Sequence, residues 1–445
     1  MLTIIFTIWG YLTLLISKRL FYSYFSPFGI FGLLWALLFA LYYLKIIPYF
    51  DLSLQAKLIL YGSYFSFLIG GLTAGIAFQI KRRNNKPRKT TTFSFLSKNN
   101  QLFFKKAILI VGTLAFVSSI IYLLKVIEFV DWQIVLQKPW LMKYAPRSDL
   151  FEINKIWGYL SSFNYIVAIM GGFYCAAFSF RYWPVYLAIA GGLVNSMASL
   201  GRAFMIEIVI FYLVAYFLTK LWKEKKLKLK ITLRKTVIGG IILVLFFSAL
   251  VSVVNIRRGV NFDARYTSEY YTGSTIPDPI FQYYRYFSAN LPAFDAFITN
   301  FDENEKMGYG KITFFPITKQ FYKLGIIKEL PKVKNYENVR TPIPINTFTY
   351  LRPIYQDFRF LGTIILPYLI GLISSFLFLN FLFKPNFIKL IILSYIYLYI
   401  ISTYIASSLS SMMIWVSLLV FLFIMLIKKH FFSDKNPFKK YVTKG

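Results

Sequence analysis

Apolar residues gather into long runs separated by short charged hinges. The runs are Leu2–Ile16, Phe28–Ile47, Leu58–Ile80, Ala107–Leu124, Ile156–Phe180, Trp183–Leu200, Ala203–Leu221, Val237–Val254, Phe360–Phe383, Leu390–Ala406 and Met412–Ile427. A helix needs roughly 20 predominantly apolar residues to cross the hydrocarbon core of a bilayer. A membrane β-barrel would show short alternating segments instead. The pattern therefore predicts an all-α polytopic membrane protein of about eleven transmembrane helices. Helices 1–8 fall within residues 1–255, one large extracytoplasmic loop containing short helices within 256–359, and helices 9–11 with a cytoplasmic tail within 360–445. The first run has no basic leader and no small-residue cleavage site, and Lys18-Arg19 follow it. It reads as a retained span with the N-terminus outside.

Alternating the hinges from that start separates the charges. The segments assigned to the cytoplasm hold 28 lysines and arginines against two acids, Glu224 and Asp434. The rest of the chain holds 22 basic and 16 acidic residues. An excess of Lys and Arg on one side is the positive-inside signature. It places the C-terminus in the cytoplasm. It also accounts for the net charge of +32 without nucleic acid, because the basic clusters adjoin apolar runs and meet anionic headgroups there.

Two regions stand on the outer side. Lys125–Lys155 is short and carries Trp132 and Trp140, residues suited to the headgroup layer. Asn255–Arg359 is long, mixed in charge and rich in aromatics. Within it, Ile280, Tyr284, Phe287, Leu291 and Phe294 recur at spacings of three and four, predicting a helix over Pro279–Thr299. Lys328–Pro344 reads as irregular loop. Gly71 and Gly75 form a small-xxx-small pair, and Gly171-Gly172 and Gly191-Gly192 fall at span centres, all consistent with close helix packing.

Composition narrows the chemistry. Cys175 is the single cysteine and His430 the single histidine, the latter in the cytoplasmic tail. A disulfide within the chain and a histidine at the outer face are thereby excluded. Ionisable groups at membrane depth are costly, which draws attention to Arg202 and Glu207. Five positions along a helix separate their side chains by about 140°, so each needs another partner. Arginines cluster where the eighth run leaves the membrane, at Arg257, Arg258 and Arg265, and again before the ninth run, at Arg352 and Arg359. The planar guanidinium fork suits bidentate holding of phosphate oxygens. Arg285 stands among tyrosines that could stack on sugar rings, and Asp302-Glu303-Asn304-Glu305 reads as a solvated turn rather than a metal site.

The layout resembles that of bacterial O-antigen polymerases of the Wzy type, the oligosaccharide repeat unit polymerases. The similarity is carried by Asn195–Glu207 with Gly201-Arg202, by Arg257-Arg258-Gly259, and by Pro292-Ala293-Phe294-Asp295. The most specific stretch is Asn346-Thr347-Phe348-Thr349-Tyr350 followed by Tyr355-Gln356-Asp357-Phe358. Family members commonly carry glycine after that Asp-Phe pair, where this chain has Arg359 and its next glycine is Gly362. The resemblance implies transfer of a growing glycan from undecaprenyl diphosphate to the non-reducing end of a lipid-linked repeat unit. It implies no cofactor, since the lipid diphosphate is the leaving group. The partners implied are the undecaprenyl-diphosphate-linked oligosaccharide, membrane lipids, and a flippase and chain-length regulator of the same pathway. On this reading Arg258 and Arg352, with Arg202, Arg257, Arg265 and Arg285, hold diphosphate and its developing charge. Asp357 is the first choice for an acceptor-activating base, with Glu207 and Glu269 behind it. A lipid-linked oligosaccharide flippase, an O-antigen ligase and a non-catalytic membrane protein remain alternatives.

Overall fold

The computed structural model describes residues 1–84, 98–137, 141–142, 155–199, 203–224, 284–331, 339–341 and 344–431. The described residues are nearly all helical. In chain order the helices are α1 (Leu2–Phe21), α2 (Pro27–Tyr43), α3 (Leu54–Asn84), α4 (Lys98–Val130), α5 (Trp132–Gln137), α6 (Lys155–Ser161), α7 (Phe163–Ala177), α8 (Leu187–Ser199) and α9 (Ala203–Glu224). Then come α10 (Asn290–Thr299), α11 (Phe315–Lys323), α12 (Leu351–Phe383), α13 (Phe387–Ser402) and α14 (Met412–Phe431). Six helical stretches among the described residues, counting α6 and α7 together as one, are long and apolar enough to cross a membrane, and 27–43, 387–402 and 412–426 are shorter apolar helices. The expected span Val237–Val254 lies outside the described residues.

These helices keep apolar side chains on their outward faces. Along α1, Ile4, Ile8, Tyr11 and Leu15 are exposed; along α12, Leu361, Ile365, Leu369, Ile373 and Phe376 are. A soluble bundle would place charge on those stripes. Apolar outside and hydrogen-bonded inside is what a lipid solvent demands. The chain is a multi-pass membrane protein.

Backbone contact fixes the tightest pair, α3 against α12. A Cβ on Gly70 would run into the Tyr368 carbonyl, and one on Gly371 would run into the Phe67 carbonyl. The two helices approach through reciprocal glycines, as small residues permit in membranes. Gly71, singled out from sequence, joins this contact, its backbone nitrogen 3.2 Å from the site of a Gly371 Cβ and its own Cβ site against Phe28 and Ser375, while Gly75 faces Phe21. Inside the bundle, Phe31 stacks on Phe67 at 3.8 Å between ring centroids. Trp35 Nε1 donates to Thr403 Oγ1 at 2.9 Å, and the Ser63 and Tyr350 hydroxyls are 2.6 Å apart.

Helix ends sort onto two faces. On one, the Arg82 guanidinium lies 4.5 Å from the Phe383 ring, Lys389 Nζ donates to Asn380 Oδ1, and Lys223 Nζ donates to the Ala177 carbonyl. We call this the basic face. On the other, the 44–53 connection, residues 284–331 and the 403–411 turn meet, forming the loop face.

Several boundaries differ from the sequence expectation. Helices α1, α3 and α14 run on past their apolar runs to include Lys18-Arg19, Lys81-Arg82-Arg83 and His430. Ile156–Phe180 divides at Ser162 into α6 and α7. The helix expected over Pro279–Thr299 is helical at 284–288, turns at Ala289 and resumes as α10. Pro292 has no N–H to donate toward Ser288, so the helix is interrupted there. Within the stretch expected as irregular loop, Val339–Arg340 pairs antiparallel with Pro344–Ile345.

Candidate functional site at the loop face

The site is built where the long loop meets the head of α12. Its first turns, residues 351–358, form a short helix of their own. At Arg359 the backbone takes φ 53° and ψ −152°, so the ladder breaks before the apolar span begins. That conformation is essentially reserved for glycine. Arg359 occupies it while its guanidinium closes the end of the short helix. It donates to the Tyr355 carbonyl at 3.4 Å and the Gln356 carbonyl at 3.2 Å, and also reaches the Glu305 carbonyl. Its plane lies 4.6 Å from the Phe301 ring.

Arg352 lies on the same short helix and is only 8% exposed. Its guanidinium sits 4.0 Å from the Phe348 ring centroid and 5.0 Å from that of Phe297. Phe348 comes from the segment after the hairpin and Phe297 from α10, so the arginine ties the loop to α12. A desolvated cation over aromatic faces gains about 2 kcal/mol.

Asp357 is fully buried. Its Oδ1 accepts the Ile312 N–H at 3.1 Å and its Oδ2 the Thr313 N–H at 2.6 Å. The backbone adds two bonds: Gly308 N–H to the Gln356 carbonyl and Tyr309 N–H to the Asp357 carbonyl. The loop 308–313 is thus clamped to the short helix. Gly308 must be glycine, because a Cβ there would run into the Asp357 carboxylate. The clamp presents Tyr309, 71% exposed and at φ 50°.

A polar chain runs along the adjacent edge. Gln55 Nε2 donates to the Tyr355 hydroxyl at 3.2 Å, and that hydroxyl donates to Glu303 Oε1 at 2.9 Å. Glu303 is solvent-exposed. Asp302 Oδ1 accepts the Asn304 N–H, so the acidic run is a turn. Just before α3 begins, Ser53 donates its N–H (3.0 Å) and hydroxyl to Asp295 Oδ1.

Arg285 is half-buried on the 284–288 turn. Its neighbours fix that turn to the 44–53 connection. The Tyr284 hydroxyl accepts the Ile46 N–H at 3.2 Å and donates to the Leu41 carbonyl at the end of α2 at 2.8 Å, and the Tyr49 and Ser288 hydroxyls lie 2.9 Å apart. Burial raises the Tyr49 and Tyr284 phenols above their ordinary value, which keeps both protonated as donors.

Of the residues singled out from sequence, Arg352 and Asp357 fall on one short helix and Arg285 in the same loop layer. Glu207 is elsewhere, inside the bundle, where the Tyr165 hydroxyl of α7 donates to its carboxylate. It finds a partner on another helix, as the angle from Arg202 required. Arg202, Arg257, Arg258, Arg265 and Glu269 lie outside the described residues. Sequence reasoning passed over Gln55 and Tyr309, and read Glu303 only as part of a solvated turn. Only Tyr309, bracketed by Gly308 and Gly310, carries a local signal, that of a positive-φ turn. Comparison of the chain with family models, curated proteins and solved structures finds no match.

Proposed function

We propose that the chain is a polysaccharide polymerase. It joins oligosaccharide repeat units carried on undecaprenyl diphosphate at the outer face of the bacterial inner membrane. The observation that supports this reading most is Arg352. It is a buried arginine stacked between Phe348 and Phe297 at the mouth of a span, on the face that carries the long loop. A guanidinium fixed in that way needs little reorganisation to meet charge developing on a diphosphate. Arg258 shares this role in the proposal. Arg202, Arg257, Arg265 and Arg285 hold the diphosphates of donor and acceptor lipids.

In the reaction, a hydroxyl oxygen of the acceptor sugar attacks the anomeric carbon of the donor glycan. The bond from that carbon to the phosphate oxygen breaks, and undecaprenyl diphosphate leaves with the electron pair. The hydroxyl proton passes to a carboxylate. Both oxygens of Asp357 already accept backbone N–H groups, so we assign it a positioning role through the 308–313 loop. Glu303, exposed and held by Tyr355, becomes our first choice for taking the proton.

A deletion strain tests the function. Its surface glycan should appear on a gel as core carrying a single repeat unit, with the long ladder lost, provided a ligase is present. Core with no repeat unit at all would favour ligation or flipping and end the polymerase reading.

A further inference from the structure

Helix α11 (Phe315–Lys323) leaves part of its apolar surface bare. Ile317, Phe321 and Leu324 follow at i, i+4 and i+7, one stripe of a helix. Phe321 is 43% exposed and Leu324 72%, and the stripe continues into Ile326 at 67%. Lys319 and Lys323 project about 165° and about 125° away from the stripe's centre, given about 100° per residue. Residues 306–331 hold five lysines and one glutamate, Glu329.

The level of this helix is set at both ends by spans. Its N-terminal turn follows directly on the clamped loop, where Phe358 lies 3.5 Å from the site of a Gly310 Cβ. Phe360 and Leu361, the first outward apolar residues of the α12 span, come immediately after. On the other side, Phe314 meets the Trp415 ring edge-on at 6.5 Å, and Gln320 Nε2 is 3.9 Å from Met412 Sδ. Both residues stand at the head of α14. So α11 rests where two apolar spans end, with Phe321 and Leu324 of its stripe exposed, Ile317 partly buried, and its lysines turned away. An amphipathic helix of that composition at that depth lies in the interface, apolar face down, its cations among headgroup phosphates.

We infer that α11 is an interfacial helix: Ile317, Phe321 and Leu324 dock into the bilayer on the loop face, and Lys319 and Lys323 engage the phosphates of anionic phospholipid. The docking pins the Gly308–Thr313 loop at membrane height. It does not depend on the polymerase reading.

The test is spin-label accessibility on the full chain, reconstituted in vesicles of phosphatidylethanolamine and phosphatidylglycerol. Cys175 is the single cysteine and is buried, so Phe321→Cys, Leu324→Cys and Lys323→Cys can each be labelled in a Cys175→Ser background or in the native one. Labels at 321 and 324 should collide with oxygen several-fold more readily than with a water-soluble nickel chelate, and the label at 323 should show the reverse. Ready access of nickel to 321 and 324 would overturn the inference by placing the stripe in water. Exclusion of both reagents from 321 and 324 would overturn it too, by placing protein on the stripe.

Discussion

Asp357 shows why a residue type alone does not give a role. Beside arginines at a membrane surface, a carboxylate invites assignment as a base. In the structure each of its oxygens receives a backbone N–H from a loop some 45 positions earlier in the chain. That long-range pairing leaves no local periodicity to read. It makes two predictions sharp. Gly308→Ala should lower the thermal unfolding midpoint in detergent, equivalent to a loss of about 1–3 kcal/mol, because the new methyl has no space beside the carboxylate. A midpoint equal to wild type would show the clamp is looser than described. Arg359 offers the second. Arg359→Ala keeps the unfavourable backbone and loses the carbonyl contacts, whose charged hydrogen bonds contribute about 1.5–3 kcal/mol. Arg359→Gly loses the same contacts but relieves strain of about 1–3 kcal/mol. The glycine variant should therefore be the more stable of the two. If alanine proves equal or better, position 359 does not require a glycine-like backbone. The order also bears on the resemblance, since glycine is what that family commonly has there.

Among the elements, the short helix 351–358 was half legible. Its arginine and aromatics were visible as a cluster before the ninth apolar run, but neither its helical form nor the break at Arg359 was. Charge at the head of an apolar stretch looks like a loop, whereas 351–358 is helical and a single non-helical residue, Arg359, separates it from the span. The same holds at the basic face, where α3 carries Lys81-Arg82-Arg83 on helix. The three-and-four spacing that predicted a helix includes Leu291 and Phe294, and the structure places both on α10, buried. The break at Ala289 follows from Pro292, which the spacing pattern ignores. Packing through Gly70 and Gly371 depended on which face of each helix meets its neighbour, information that a single strand of sequence does not hold. At this scale the account predicts that Arg352→Lys inserts and folds, yet polymerises on the order of 100- to 1000-fold more slowly. Lysine keeps the charge but not the planar group that rests on Phe348 and Phe297. Phe348→Leu should lower the rate in the same direction by removing one of the two rings. Near-normal rates from both variants would take the stacked guanidinium out of the mechanism.

For the whole molecule, hydropathy made the class plain, because lipid imposes long apolar helices and little else satisfies it. Function is less exposed to such reading. The proposed function rests on a few arginines spread over the chain, of which Arg285 and Arg352 are among the described residues. Orientation is predicted by the 28-to-2 division of charge. Reporter fusions at Asn85 and Lys226 should report cytoplasm, and a fusion at Asn304 the exterior. A cytoplasmic signal at Asn304 would put the long loop, and the site with it, on the wrong side for flipped lipid-linked substrates. The central claim is the transfer reaction itself. It is tested most directly by purified protein in vesicles with undecaprenyl-diphosphate-linked repeat units, a chelator present and no nucleotide sugar. The account predicts a ladder of lengthening glycans with one undecaprenyl diphosphate released for each linkage formed. Lipid-linked units recovered at their original length, from protein that is folded and correctly oriented, would contradict it.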